Sequence, residues 1–188
     1  MEPHRPIFVK DLPALEKALC GLKDMACLFC GRRGTLNRHG GITGNDPHAA
    51  NGRVQRGHRV YCSRRGRRGG CGRTFPILLA RVLPRHTFNA ALLWAVLERV
   101  LDGHSIRAAW AAARVPLALD TTYHLIQRLR RHVSDWRTAL SRLIPPPPAG
   151  NARDPLLQTI AHLRGAFPAC ACPVEVFQLR LQRAVLSG

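Results

Sequence analysis

Four cysteines fall into two pairs within one stretch of the chain. The first is Cys27-Leu-Phe-Cys30-Gly31; the second is Cys62, then eight residues, then Cys71-Gly72-Arg73-Thr74-Phe75. The chemistry such a set offers is thiolate ligation. Zinc takes four soft or borderline ligands in a tetrahedron, and two turns of chain that each deliver two sulfurs satisfy it. A glycine after Cys30 and after Cys71 suits such turns, because it lets backbone N–H groups approach the sulfurs. Cys27, Cys30, Cys62 and Cys71 are therefore the expected ligands of one structural Zn2+. Ligation of this kind contributes about 10–16 kcal/mol of apparent binding energy, comparable with the stability of a small domain. Residues 25–76 are accordingly expected to unfold without metal. His39 and His58, between the two pairs, are the alternative ligands. Cys20 reads as a core thiol, and Cys170-Ala-Cys172 offers two thiols that do not complete a site.

The second chemistry is that of arginine. Between Cys62 and Cys71 the text is Ser-Arg-Arg-Gly-Arg-Arg-Gly-Gly. Four like charges in a glycine-rich loop repel one another, so Arg64, Arg65, Arg67 and Arg68 are expected to face a phosphate backbone. Such contacts position a protein and carry little sequence information. Arg73 joins this set. The whole chain repeats the bias: 188 residues hold 29 basic side chains against 11 acids, a formal net charge of +18. Lysine occurs only at Lys10, Lys17 and Lys23, and arginine is the residue that grips phosphate bidentately. With 46% hydrophobic residues the chain has material for a core and is no disordered basic tail. Aromatic residues make up only 6%, which disfavours single-strand recognition by base stacking. The expected partner is double-stranded DNA.

The elements that must position these residues read as α+β, mostly α. Leu12, Leu15, Leu19 and Leu22 predict a lead-in helix within residues 1–24. Residues 25–76, rich in Gly, Arg and Cys, predict a small zinc ribbon of short antiparallel strands. Residues 77–144 begin with an apolar passage and then predict three helices. The first runs from His86 to Asp102-Gly103 and is mostly buried. The second is capped by Ser105 and carries Ile106, Ala109, Trp110 and Ala113. The third is capped by Asp120 and runs to about Ile144, with the stripe Leu125, Leu129, Val133, Trp136, Leu140 and Leu143. This is the order of a helix-turn-helix unit, whose last helix enters the major groove. The face opposite the stripe carries Thr121, His124, Gln127, Arg128 and Arg131, the candidates for base and phosphate contacts. A proline run opens a linker over 145–150. A helical pair follows over 151–188, roughly Pro155–Arg164 and Pro173–Leu186.

No run of about 18 apolar residues predicts a membrane span, and the N-terminus has no signal-type core. A cytoplasmic location is expected, where thiols stay reduced and clustered cysteines mean metal. Acids are scattered, so no enzyme is expected. A nuclease built on His39, His48 and His58 lacks a compact grouping with a nearby acid. A protein-interaction scaffold using Val174, Phe177, Leu181 and Val185 is the remaining alternative.

Three runs of residues carry a family resemblance: Cys27-x2-Cys30-Gly31, the Arg-Gly-x-Arg-x-Tyr-Cys run over 56–62, and Cys71-Gly72-Arg73-Thr74-Phe75. They resemble the N-terminal zinc ribbon of insertion-sequence transposases. Those proteins often follow the ribbon with a helix-turn-helix whose text is similar to Gly103-His-Ser-Ile-Arg-Ala-Ala. The resemblance spans about residues 25–132. It implies that Cys27, Cys30, Cys62 and Cys71 hold zinc and that the helix from Asp120 binds DNA. The second cysteine pair departs from the family pattern, which usually repeats Cys-x2-Cys. Such transposases usually continue into an RNase-H-like catalytic domain with three spaced acids, and the residues after the proline run do not read as one. The resemblance thus implies an accessory or regulatory DNA-binding subunit or a truncated transposase, acting with a separate transposase or as a homodimer.

Overall fold

In the computed structural model the described residues are 6–45, 52–65, 69–114, 119–148 and 154–186. Ten elements follow one another: β1 (Ile7–Val9), α1 (Leu12–Cys20), β2 (Leu36–Asn45), β3 (Arg53–Cys62), β4 (Thr74–Leu79), α2 (Ala90–Leu101), α3 (Ile106–Ala112), α4 (Leu119–Leu140), α5 (Pro155–Ala166) and α6 (Pro173–Leu181). The α+β class is as expected. The chain divides into two compact units, Met1–Val82 and Leu83–Gly188. The expected boundary at 76/77 falls inside β4, because the apolar residues after Cys71 complete the sheet.

In the first unit the strands form one sheet in the order β1-β4-β3-β2. β2 with β3 and β3 with β4 are antiparallel, and β1 runs parallel to β4. The lead-in helix belongs to this unit. Asp11 caps α1 by accepting from Ala14 N–H at 2.9 Å. Its residues Leu15 and Leu19, with Leu22 beyond its end, share a core with Leu36, Val60, Phe75, Ile77 and Leu79 from one face of the sheet. The strands are not all short: β2 and β3 are ten residues each. Two register shifts interrupt their pairing, between Arg38 and Gly40 and between Ile42 and Thr43. A bulge of this type inserts one unpaired residue and increases local twist.

The second unit is helical, and its core draws on all five helices. α2 starts at Ala90 rather than His86, because Asn89 takes the cap and accepts from Leu92 N–H at 3.0 Å. Phe88 precedes the helix and is buried edge-on to Trp110, with ring centroids 6.2 Å apart. α3 is capped by Ser105 as expected. α4 begins at Leu119, which places Asp120 in its first turn and not at the cap. It ends at Leu140, earlier than expected. Its last carbonyl, Leu140 O, accepts from the N–H groups of both Leu143 and Ile144 in a tightened turn, and Ile144 precedes Pro145, which disfavours helical backbone there. Leu143 is therefore exposed at 41% instead of continuing the stripe. α6 ends at Leu181 and not Leu186, since Gln182 adopts a left-handed φ of 51°. Val185 still reaches the core off the helix. Its carbonyl accepts from Trp136 Nε1–H at 3.0 Å, and its N–H donates to Gln178 Oε1 at 3.2 Å.

The expected linker does not isolate the C-terminal helices, because α5 packs on α4 and both α5 and α6 pack on α2. Among the described residues no helix is long and apolar enough to cross a membrane. Trp136 is 2% exposed and touches both α6 and the chain end. Trp136→Ala is expected to destabilise the helical unit by about 3–5 kcal/mol. Thermal unfolding checks this, and a loss under about 1 kcal/mol would contradict the packing.

Candidate metal centre

The four expected ligands come from two loops at the same end of the sheet. Cys27 and Cys30 lie on the loop that leads into β2. Cys62 is the last residue of β3, and Cys71 lies just before β4. Their four sulfurs lie within 4.8 Å of one another. Cys27 Sγ is 3.7 Å from Cys71 Sγ, and Cys30 Sγ is 3.8 Å from Cys62 Sγ. These separations are far beyond the roughly 2.05 Å of a disulfide. They match the edge of a tetrahedron with metal–sulfur bonds of about 2.3 Å, which is about 3.8 Å. The set is compatible with a single tetrahedral metal site.

Local backbone explains the convergence. Cys27 N–H donates to Arg32 O at 3.0 Å, and Gly31 N–H donates to Cys27 O at 2.9 Å, closing a tight loop around the first pair. Cys62 N–H donates to Arg73 O and Gly72 N–H to Cys62 O, both at 2.9 Å, so the second loop closes in the same way. Gly31 and Gly72 take φ values of 69° and 73°, where a side chain is strained. The eight-residue insertion leaves this frame intact because it is pinched at its base. Gly70 N–H donates to Ser63 O at 2.6 Å, and the Arg32 guanidinium donates to Gly69 O. A Cβ on Gly70 would run into Cys62 Sγ and Ser63 O.

Two polar groups face the sulfur of Cys62. The Thr35 hydroxyl lies 3.2 Å from it, and Cys71 N–H donates at 3.3 Å. Burial pushes the Cys62 thiol up, but the Thr35 hydroxyl and the Cys71 N–H outweigh it and bring the thiol down to about 7. Burial dominates at Cys27 and pushes it up to about 12, although the N–H groups of Phe29 and Cys30 oppose it. Neither Thr35 nor Gly70 was legible as part of the site. Thr35 stands outside both cysteine pairs in the sequence, and Gly70 looks like one more loop glycine.

The alternative ligands lie elsewhere. The His39 ring sits against Tyr61 at 5.7 Å between centroids, and His58 Nδ1 is 2.8 Å from Arg59 O. His48 lies outside the described residues. Cys20 is exposed on α1, 3.7 Å from an Arg38 nitrogen. It is not the core thiol expected, because Leu15 and Leu19 occupy the buried side of that helix. Cys170 and Cys172 are half-buried against the helical core, and burial pushes the Cys172 thiol up to about 11.

The expected phosphate and base contacts are scattered. Arg64 and Arg65 are exposed, and Arg64 Nε–H donates to Cys71 O at 3.2 Å. Arg67 and Arg68 lie outside the described residues. The Arg73 guanidinium stacks 5.1 Å above the Phe29 ring. On α4, His124, Gln127 and Arg131 are exposed on one side, while Arg128 is half-buried with a nitrogen 3.4 Å from His86 Nε2. Thr121 falls within α4, but its side chain lies outside the described residues. No protein-family model matches the chain, nor does any curated protein or solved structure.

Two outcomes are expected. Thr35→Val removes the hydroxyl facing Cys62 and should weaken metal retention about 10-fold or more in a chelator competition; unchanged retention would show that this contact is idle. Metal must displace protons from the thiols, so apparent affinity should rise with pH between about 6 and 8. An affinity flat with pH, measured in the same competition, would contradict the titration of Cys62 and Cys27.

Proposed function

We propose that the protein is a zinc-dependent binder of double-stranded DNA. The observation that carries this reading is the four-sulfur cluster set in a strongly basic segment. From Met25 to Val82 the sequence has twelve arginines and one acid, Asp46. The sulfur separations of 3.7 and 3.8 Å suit zinc, and an all-thiolate tetrahedron is a site that zinc or iron fills. In this reading Cys27, Cys30, Cys62 and Cys71 close a zinc ribbon, with β2, β3 and β4 as its strands. The metal is structural, since four protein ligands leave no open position for substrate. A zinc ion with four thiolates carries two net negative charges. Arg32, Arg64 and Arg73 at the two loops would offset them, held by Gly69 O, Cys71 O and the Phe29 ring respectively.

Arg64, Arg65, Arg67 and Arg68 would hold DNA phosphates. In the helical unit, α2, α3 and α4 would serve as a helix-turn-helix. His124, Gln127 and Arg131 on α4 are the better placed for the groove, and Arg128 would first have to leave His86. The resemblance to transposase N-terminal regions supports DNA binding as an accessory or regulatory subunit or a truncated transposase. The scaffold alternative loses its surface: Val174, Phe177 and Val185 are each at most 1% exposed and belong to the core.

Elemental analysis of purified protein should give one zinc per chain, and a duplex shift should be lost on chelation. Zinc without any shift would overturn DNA binding; iron in place of zinc would overturn the metal assignment. Affinity for duplex should fall about 1,000-fold or more between 50 and 200 mM salt if six or more phosphates are held. Replacing the four loop arginines with alanine should weaken binding to every sequence alike and flatten this slope. Retention of the full slope would remove the loop from the interface.

A further inference from the structure

The β2–β3 hairpin extends beyond the rest of the sheet. β4 pairs with β3 only over Gly57–Tyr61, whereas β3 begins at Arg53 and stays paired with β2 down to Asn45↔Arg53. Four residues of β3 therefore run past its pairing with β4 as a two-stranded arm, a reach of about 13 Å.

The arm has two unlike faces. Thr43 pairs with Gln55 and Asn45 with Arg53, which sets these four side chains on one face. Thr43, Asn45 and Arg53 are exposed and Gln55 is half-exposed. On the other face Gly44 pairs with Val54, and the Arg56 side chain lies across Gly44 where a Cβ would be. The register shift between Ile42 and Thr43 produces this separation: Ile42 lies opposite Gly57 and Thr43 opposite Gln55, which returns Gln55 and Arg53 to the face of Thr43 and Asn45.

The exposed face is thus a row of Thr, Asn, Gln and Arg with no acid among them. These are the side-chain types that pair with base edges: Asn and Gln bidentately with adenine, Arg bidentately with guanine, Thr with either. The B-DNA major groove is about 12 Å wide and about 8.5 Å deep and admits a two-stranded β-ribbon. Strands about 4.8 Å apart fit that width, and a 13 Å reach exceeds that depth. The major groove of duplex RNA is too deep and narrow for the same entry.

We propose that this arm enters the major groove of duplex DNA and reads bases through Thr43, Asn45, Arg53 and Gln55. The proposal rests on the DNA-binding reading and adds to it a base-reading element in the metal-bearing unit. Phosphate contacts from the loop arginines would orient the arm over the groove.

The test begins by selecting a preferred duplex from a random pool with the zinc-loaded full chain. Affinities for that duplex and for random duplex are then compared. The variant T43A/N45A/Q55A changes no charge, so its affinity for random duplex and its salt slope should stay within about twofold. Its preference for the selected duplex should drop at least about 10-fold. Zinc content and melting temperature serve to verify its fold. The single variant Q55A should relax discrimination at one base-pair position. Unchanged preference in both variants would overturn the proposal, as would an equal loss on selected and random DNA, or tighter binding to duplex RNA. A wild-type chain that shifts duplex without any preference would overturn the arm's role and leave DNA binding standing. A wild-type chain that shifts no duplex would instead overturn the DNA-binding reading itself.

Discussion

The first unit depends on bringing four thiol groups to one point. Two loops, 31 residues apart between Cys30 and Cys62, must meet with sulfurs 3.7–3.8 Å apart at the closest pairs. Without a cation that arrangement has little to recommend it. Thiols are weak hydrogen-bond partners, and four of them as thiolates would repel one another. With a divalent metal the same arrangement turns from a cost into the largest single stabilising term available to so small a unit. The hydrophobic core beneath α1 is built from eleven buried residues, two of which, Cys27 and Cys62, also belong to the four-sulfur cluster. Core and sulfur cluster therefore share residues, and a metal bound at the cluster would be expected to stabilise the core as well.

The loop between Cys62 and Cys71 is closed off by local backbone. The pairs Cys62–Gly72 and Ser63–Gly70 close its base, so the arginines between them add charge without disturbing the ligand geometry. Gly70 is the point where the two requirements meet, because only a residue without a side chain lets the loop return past Cys62 Sγ. The helical unit is organised differently. Among the described residues it shows no disulfide or metal-binding cluster, and its interior is filled by Trp136, Phe177 and Leu97.

Much of this was legible in the sequence where the signal was local. The cysteine spacing and the glycines after Cys30 and Cys71 marked the ligand set, and Ser105 marked a helix start. The three- and four-residue spacing of Leu125, Leu129, Val133 and Trp136 marked the buried side of α4. What was not legible depended on distant partners. β1 is three residues long and pairs in parallel with residues 70 positions later, so nothing near Ile7 announces a strand. β2 carries Gly40, Gly41 and Gly44 and lacks an alternating pattern, which hid a ten-residue strand inside what read as loop. Val185 is buried as its apolar character suggests, but it reaches the core after a left-handed turn at Gln182 and not on a helix. Arg128 is half-buried with a nitrogen 3.4 Å from His86 Nε2, a neighbour 42 positions away that its place on α4 does not announce.

The central claim is that one zinc ion joins Cys27, Cys30, Cys62 and Cys71. X-ray absorption at the zinc edge of the purified protein tests it most directly. The account requires a first shell of four sulfur scatterers at about 2.3 Å. A shell containing nitrogen or oxygen at about 2.0–2.1 Å would contradict it and return a histidine to the ligand set.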